Sequence, residues 1–534
     1  MAIDCTAVAG RENSMIGVSR EREFQRRRIR ANPTPEPAAG RALARFLPAL
    51  MVPVLLWPAL ASARPWIEPG DVRARSSVQW LVDSGCANLP LSTWPLMWAD
   101  LANVLDGQNI SPACRDSDAW RYLRHERDYH AAAWPKAEFH LGAAEREPLF
   151  RDFSGGVREK GEAGMRLEWL SGPFSAGLGE SVVHDPRDGD EVRLDGSYVA
   201  ATPGNWVVGL GAIDRWWGPG WHSSTILSSN ARPVPGVWLS RKTAQPFPWP
   251  VLDWLGPWTL TLFAGQLDSD SAVEETKLLG ARLAFRPHPN LEIGFSRTAQ
   301  WGGKGRSESL SSLGDCARGA SNTDPVNDPC NQLAGADARL GLPLGRATLG
   351  LYGQLTGEDE AGHLPSRYVG LVGMDATTAL WSGTQQFYLE YANTIAGDLT
   401  GSGAIANYAY EHSVYQSGYR FNGRNLASTW ESDARVATLG ANHFFPDGSD
   451  LALTFSYAQL NRDGTLPTRP SHTDVPVLDA LPDQNLDILS VRYSRPLLDG
   501  RLILSGFTTD DSIHTTERNW PRTTLSVGWE YRLD

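Results

Sequence analysis

The sequence predicts an all-β transmembrane β-barrel that follows a small N-terminal α-helical bundle. Three observations predict it: an export segment near the N-terminus, repeated period-two alternation of apolar and polar residues from about residue 136 onward, and a composition of 52 Gly, 21 Trp, 14 Tyr and 16 Phe that suits strands and turns. We therefore divide the 534 residues into an extension and signal peptide (1–63), a helical bundle (64–133) and a barrel (134–534).

The first of these segments has the pattern of a secretory signal. Residues 41–63, RALARFLPALMVPVLLWPALASA, combine a basic start, an apolar run from Phe46 to Leu60 and a small-residue end at Ala63. A single membrane anchor is the alternative, but the apolar run is shorter than the roughly 20 residues that a spanning helix needs. We expect export across the inner membrane of a Gram-negative cell, with cleavage after Ala63.

Residues 71–133 follow a helical period. Val72 and Val78 can share one face of a first helix, Ser92 or Thr93 is expected to cap a second helix over WPLMWADLANVL, and DSDAWRYLRHERDYH predicts a third. These segments are short and carry many polar residues, which favours a small packed bundle over a large domain.

The strands are predicted by strict alternation. LALTFSYAQ sets Leu451, Leu453, Phe455 and Tyr457 on one face and small or polar residues on the other, and the C-terminal TTLSVGWEYRLD repeats the pattern. A secreted all-β protein would alternate in the same way. Export, many strands of barrel length and aromatic residues near strand ends favour the outer-membrane barrel.

Charge and cysteine content narrow the function classes. The net charge of −12 at pH 7 argues against a nucleic-acid partner. No cysteine pair has the C-x-x-C spacing of a zinc site, so we expect disulfides and no metal or cofactor. Three pairings of the four cysteines beyond residue 63 are open, and the loop bracketed by Cys316 and Cys330 favours a short-range bond there, which would leave Cys86 to pair with Cys114.

Four segments carry a family resemblance. Residues 81–101, 211–235, 352–371 and 410–429 resemble, in this order, the Wzi family of outer-membrane capsule-assembly proteins. The resemblance implies a barrel of about 18 strands, a helical bundle that plugs its periplasmic end, and a lectin-like role as a monomer that attaches capsular polysaccharide or a related exopolysaccharide to the cell surface.

Two segments combine aromatic rings with planar hydrogen-bonding groups, which is the chemistry that binds the apolar face and hydroxyl rim of a sugar. The first is DRWWGPGWHSSTILSSN and the second is YRFNGRNLASTW. The predicted polysaccharide-binding residues are Asp214, Arg215, Trp216, Trp217, Trp221, His222 and Asn230 in the first segment, and Tyr419, Arg420 and Arg424 in the second. The alternative is structural, with the glycines turning the chain and the tryptophans filling the lumen or lying at the membrane interface.

Three further hypotheses stay open. Glu358, Asp359 and Glu360 precede His363 in GEDEAGHLPSRY and can form a Ca²⁺ site, a hydrolytic carboxylate pair or a solvated lumen network; we favour the network because neighbouring strand residues point to opposite faces. Known catalytic motifs are missing from the sequence. We therefore expect a non-enzymatic, polysaccharide-binding protein, with a porin and a glycan-modifying enzyme as the rivals.

Overall fold

The protein forms one closed antiparallel barrel. The computed structural model describes residues 65–107, 110–131, 136–319, 328–361, 364–399, 403–470, 473 and 475–533, with the backbone alone for residues 359–361, 364 and 365. The predicted signal peptide and the predicted boundary at residues 133 and 134 lie outside these residues. Within them, nineteen strand segments close the barrel, and two of these pair with the same neighbour, so the barrel has 18 strand positions. The prediction of an 18-stranded barrel is confirmed.

The strands are β1 Lys136–Ala144, β2 Gly161–Ser171, β3 Phe174–His184, β4 Val192–Arg193 with Tyr198–Ala201, β5 Trp206–Gly211, β6 Gly236–Arg241, β7 Trp258–Gln266, β8 Lys277–His288, β9 Leu291–Trp301, β10 Cys330–Leu344, β11 Ala347–Ala361, β12 Leu364–Leu380, β13 Gly383–Gly397, β14 Arg435–Phe444, β15 Asp450–Leu460, β16 Gln484–Leu497, β17 Gly500–Thr509 and β18 Thr523–Leu533. Each strand pairs with the next, and β18 pairs with β1 to close the cylinder, with Tyr531 opposite Phe139.

The two rims of the barrel differ. Turns of two residues, such as 289–290, 345–346 and 498–499, lie at the rim where β1 begins and β18 ends, which we call the short-turn rim. Long connections, such as those from β9 to β10 and from β13 to β14, leave and re-enter the barrel at the opposite rim, which we call the long-loop rim. This asymmetry is typical of outer-membrane barrels.

The two barrel faces match the predicted alternation. Leu453, Phe455 and Tyr457 of β15 point outward and are exposed, while Thr454 and Ser456 between them point inward and are buried. The outward residues of the other strands are likewise large and apolar, which forms the belt expected of a surface in contact with lipid.

The N-terminal segment consists of the helices α1 Val72–Asp83, α2 Trp98–Leu105, α3 Pro112–Arg115 and α4 Asp118–Ala131. Asp71 caps α1, accepting a hydrogen bond from the Ala74 amide at 2.7 Å. Every helix among the described residues is too short or too polar to cross a bilayer. The predicted cap of the second helix is wrong: Thr93 and Trp94 form a short strand and α2 begins at Trp98, because tertiary pairing outweighs the local capping signal.

A buried carboxylate and a buried ion pair hold this segment inside the barrel. The carboxylate of Glu292 accepts hydrogen bonds from the backbone amides of Leu91 and Ser92 at 2.7 and 2.9 Å. Arg339 of β10 forms an ion pair with Asp83 of α1 at 2.7 Å. Glu292 and Arg339 lie in the short-turn half of their strands, so the N-terminal segment occupies that end of the lumen.

Two disulfides close short loops. One joins Cys86 after α1 to Cys114 in α3, with 5.8 Å between their Cα atoms. The other joins Cys316 in helix α5 (Leu310–Ala317) to Cys330 at the start of β10, with a Cα separation of 5.7 Å. The structure thus has the pairing that the loop composition favoured.

Candidate functional site

The first predicted segment lies inside the barrel. It belongs to residues 212–235, which connect β5 to β6 and which we call the lumen loop. Trp216 and Trp217 form an antiparallel pair with Trp94 and Thr93 of the N-terminal segment, and the Trp217 amide donates to the Leu227 carbonyl at 2.9 Å. The loop therefore folds back into the lumen and meets the N-terminal segment there.

Glycine at position 218 is required by the tight fit of this loop. Gly218 has φ +129°, and a Cβ atom there would lie 2.6 Å from the side-chain amide of Gln354 on β11. Gln354 in turn donates to the Trp217 carbonyl at 3.0 Å and accepts from the Thr225 amide at 3.1 Å. The WWGPGW sequence therefore serves a close backbone approach to the barrel wall.

One carboxylate holds the centre of the loop. Glu390 of β13 accepts hydrogen bonds from the amides of Trp221 at 2.8 Å, His222 at 3.4 Å and Ser223 at 2.9 Å. Successive backbone amides that converge on a carboxylate form an anion-binding concavity, and here a side chain of the barrel occupies it.

Arg75 of α1 provides the opposite charge. It donates to the carbonyls of Pro219 and Gly220 at 2.7 and 2.9 Å, and its guanidinium lies 4.1 Å from the centre of the Trp221 ring and 4.3 Å from that of Phe153. Burial lowers the pKa of Arg75 to about 10, so the side chain stays charged at neutral pH. The N-terminal helix and the lumen loop are thereby joined.

The tryptophans are buried in the interior of the barrel. Trp216 and Trp94 each make an edge contact with Phe153, at 5.4 and 5.1 Å between ring centres, and Trp221 stacks on Tyr388 at 6.1 Å. All three tryptophans of the predicted platform, Trp217 among them, are buried. They do not form an open stacking surface. The sequence does not distinguish the two cases, because tryptophan suits both a sugar site and a packed interior.

The polar residues of the same segment are engaged as well. Asp214 pairs with Arg158 at 2.9 Å and keeps 32% of its side chain exposed. Arg215 is buried against the Phe263 ring at 4.7 Å, and burial lowers its pKa to about 10. Asn230 donates to the Asn425 carbonyl at 2.9 Å, which ties the lumen loop to the second predicted segment.

The second predicted segment also supports the interior. Arg420 is buried between Glu411 and Glu431, at 2.6 and 2.8 Å, and Tyr419 stacks on Tyr410 with 6.5 Å between ring centres. Arg424 donates to the Leu149 carbonyl at 3.3 Å, and burial lowers its pKa to about 10. These residues order the 398–434 connection, and they are not arranged on an open surface.

Glu358 of the acidic stretch belongs to this interior network. Its carboxylate accepts from the Tyr410 amide at 2.7 and 2.8 Å. The side chains of Asp359 and Glu360, and His363 as a whole, lie outside the described residues. In the part of the chain that the structure describes, no three His, Cys, Asp or Glu side chains are grouped as metal ligands.

A cavity lies beside the lumen loop. It has a volume of about 480 Å³, within the usual range of ligand sites. Its lining runs from Arg532 near the short-turn rim to Trp221 and His222, and on to Phe150 of the β1–β2 connection, which leaves the barrel at the long-loop rim. Its wall carries both aromatic and polar side chains. Among them are Phe150, Asp152, Arg166, Tyr388, Asn442, Ser490, Arg492, Ser505, Phe507, Ser526 and Glu530.

His222 is the predicted residue that best fits a binding role. It is buried and stacks on Trp430 at 5.1 Å between ring centres, yet neither of its ring nitrogens has a hydrogen-bond partner. Burial lowers its pKa, and Asp152 lies 3.9 Å away. A neutral imidazole at the edge of a polar cavity can donate one hydrogen bond and accept another, as a sugar hydroxyl requires.

Three residues of this interior, Arg75, Glu390 and Arg492, are not predicted from the sequence. The first had a signal: Arg75, Gln79 and Asp83 are spaced by four residues and form a polar stripe along one face of the helix. Glu390 and Arg492 are charges within alternating strands, where nothing local distinguishes a lumen charge from a surface charge.

Comparisons with known proteins converge on one family. Residues 132–518 match the family model described as capsule assembly protein Wzi. A Klebsiella pneumoniae protein, described as an uncharacterized 55.8 kDa protein in the cps region, is 31% identical over 338 residues, which are 61% of this chain and 64% of that relative's length. The solved structure of Wzi from Escherichia coli superposes with a TM-score of 0.73 at 26% identity, over 89% of this chain and 99% of that one. That protein is described as an outer membrane protein involved in group 1 capsule assembly and as a carbohydrate-binding β-barrel.

Proposed function

From the premise that this chain belongs to the Wzi family of capsule assembly proteins, we propose that it is a polysaccharide-binding barrel of the Gram-negative outer membrane. It binds capsular polysaccharide or a related exopolysaccharide and helps to attach it to the cell surface. The likeness to a carbohydrate-binding barrel, at a TM-score of 0.73 over most of both chains, is the observation that carries this proposal. The N-terminal extension and signal peptide (residues 1–63) and a monomeric state are parts of the same proposal.

The membrane orientation follows from the rims. Short turns of outer-membrane barrels face the periplasm and long loops face outside. The helices α1 to α4 then lie at the periplasmic end, and the strand ends that carry the long β9–β10 and β13–β14 connections face the cell surface.

A filled lumen favours binding over conduction. The lumen loop is buried and is held from opposite sides by Glu390 of the wall and Arg75 of the N-terminal helix. An open channel would require both sets of contacts to break. Steady, large currents through the intact protein in a planar bilayer would instead support a porin.

The role is binding rather than catalysis. Glu358 is one of the carboxylates that could serve hydrolysis, but it accepts a hydrogen bond from the Tyr410 amide. Incubation of the purified protein with purified polymer should leave the polymer's size and acylation unchanged.

Within the protein, we assign sugar contact to Trp221 and His222 at the top of the cavity. The other predicted residues position this pair by fixing the two inner loops. They are Asp214, Arg215, Trp216, Trp217, Asn230, Tyr419, Arg420 and Arg424.

The cellular experiment measures where the polymer is found. In a strain that lacks the gene, the total polysaccharide should be similar while the ratio of cell-associated to shed polymer falls, and the restored gene should reverse the change. An unchanged ratio would refute the attachment role.

The cavity experiment uses a matched pair of variants. Ser490→Phe fills the cavity, whereas Ala441→Phe adds the same ring on the outward face of β14. We expect the first variant to lose binding of the strain's purified polysaccharide in calorimetry and the second to retain it. His222→Gln should weaken binding, while His125→Ala on exposed α4 should not. If Ser490→Phe binds as the wild type does, the cavity is not the sugar site.

A further inference from the structure

One connection at the short-turn rim is unlike the others. Residues 242–257 join β6 to β7, whereas most neighbouring turns have two residues. Within it, residues 245–257 read QPFPWPVLDWLGP, which we call the rim segment. Trp249, Val251 and Trp254 are 63%, 79% and 60% exposed, and none of them takes part in the sites described above. Exposed apolar groups clustered in this way mark an interaction surface.

The rim segment lies against the outside of the barrel. Trp254 makes an edge contact with Phe285 at 6.3 Å between ring centres, and Phe285 stacks on Phe295 at 6.3 Å. Both phenylalanines belong to the outward face, and Phe295 is 51% exposed in the lipid-facing belt. The aromatic surface of the rim segment is therefore continuous with the belt.

The segment is held in shape from both ends. Phe247 stacks on Trp258 with 4.3 Å between ring centres, and the Arg241 guanidinium lies 3.6 Å from the centre of the Trp258 ring. Asp100 of α2 accepts a hydrogen bond from the Ala244 amide. At the far end, Gly256 has φ +64°, and a Cβ atom there would lie 2.0 Å from the Arg286 carbonyl oxygen.

Its composition suits a membrane interface. Three of the five residues from Pro246 to Pro250 are prolines. They restrict the backbone before any contact is made, which lowers the entropy lost on docking. Asp253 is the only charged residue of the segment. Tryptophan is enriched at the boundary of hydrocarbon and headgroups, where an apolar ring and a polar N–H are both accommodated.

We propose that the rim segment docks into the interfacial layer of the periplasmic leaflet of the outer membrane, with Trp249, Val251 and Trp254 inserted among phospholipids. The phospholipid leaflet is the occupant because Trp254 of the rim segment contacts Phe285, which stacks on Phe295 of the lipid-facing belt. Asp100 of α2 accepts a hydrogen bond from Ala244, which directly precedes the rim segment, so the segment also connects the periplasmic helices to the membrane surface. The inference rests on the outer-membrane orientation proposed above.

The experiment measures the surroundings of Val251 in the mature protein, from which residues 1–63 with Cys5 have been removed. Val251→Cys is labelled with an environment-sensitive fluorophore, because the four cysteines of the described chain are paired in disulfides. The labelled protein is reconstituted into phosphatidylethanolamine and phosphatidylglycerol vesicles. Leu453→Cys on the lipid-facing belt and His125→Cys on exposed α4 are the matched controls.

We expect the label at position 251 to shift its emission to the blue, to be quenched by nitroxide-bearing lipid as at position 453, and to resist aqueous iodide. Quenching by iodide as at position 125 would overturn the proposal, since the segment would then lie in water. Protection from both quenchers would also overturn it and would indicate a protein partner. If the label at position 453 escapes the lipid quencher, the outer-membrane placement itself fails, which separates the two proposals.

Discussion

Arg339 makes the strongest testable link between the N-terminal helix and the barrel. Its guanidinium donates to Asp83 through both terminal nitrogens at 2.7 Å and to Asp375 of β12 at 3.0 Å. The Arg339 side chain is 3% exposed, and those of Asp83 and Asp375 are 0% and 1% exposed. Arg339→Met would leave two carboxylates close together without a cation in a buried place.

The loss of free energy that holds α1 in the lumen should be large. Removal of one partner from a buried ion pair costs about 3–5 kcal/mol, which corresponds to a roughly 150- to 4,000-fold shift toward release of α1 from the lumen. Limited proteolysis of the folded barrel measures this release, because α1 becomes accessible only when it leaves the wall. Arg501→Gln, at a pair with Asp450 that does not touch the N-terminal segment, is the control.

A second variant separates charge from packing. Asp83→Asn in the Arg339→Met background removes one of the uncompensated carboxylates and should restore part of the resistance, since neutral replacement of a buried pair is tolerated. Equal protease resistance in Arg339→Met and the wild type would refute the reasoning that this ion pair retains the helix.

Three other predictions concern the lumen loop and the helices. Glu390→Gln should lower the temperature at which the barrel changes its gel migration, because it weakens charge-assisted bonds worth about 1.5–3 kcal/mol each. The lowered pKa of His222, caused by burial, keeps the folded state unprotonated while the unfolded chain binds a proton below its ordinary pKa of 6.5. The temperature at which the gel migration changes should therefore be constant above pH 6.5. It should fall as the pH drops from 6.5 toward the lower pKa of His222 in the folded protein, and His222→Gln should make it less dependent on pH. Cys86→Ser with Cys114→Ser opens a loop whose ends are 28 residues apart and should destabilise the helices by about 3–4 kcal/mol, seen as faster proteolysis with the barrel's heat-modifiable migration intact.

Short-range sequence patterns predict much of the fold. The alternation of Leu451, Leu453, Phe455 and Tyr457 alone sets those residues on the outward face, because successive side chains of a strand point to opposite sides. The family motifs supplied the strand number, which alternation does not encode.

The candidate site was only half predictable. The sequence singled out Trp216, Trp217 and Trp221 as chemically suited to sugar, and the structure encloses all three. Residue type states what a side chain can contact, whereas burial depends on segments far away in the chain. Glu390 and Arg75 lie 169 and 144 residues from the backbone groups that they bind.

The sequence by itself determined the barrel, its helical N-terminal part and the turn chemistry of WWGPGW, because those features depend on neighbours within a few residues. Only the tertiary structure decided that the lumen loop folds inward, that Arg339 joins helix to wall and that the rim segment lies on the outer surface. Each of these depends on ion pairs and ring contacts between segments that lie far apart in the sequence, and no local pattern encodes such contacts.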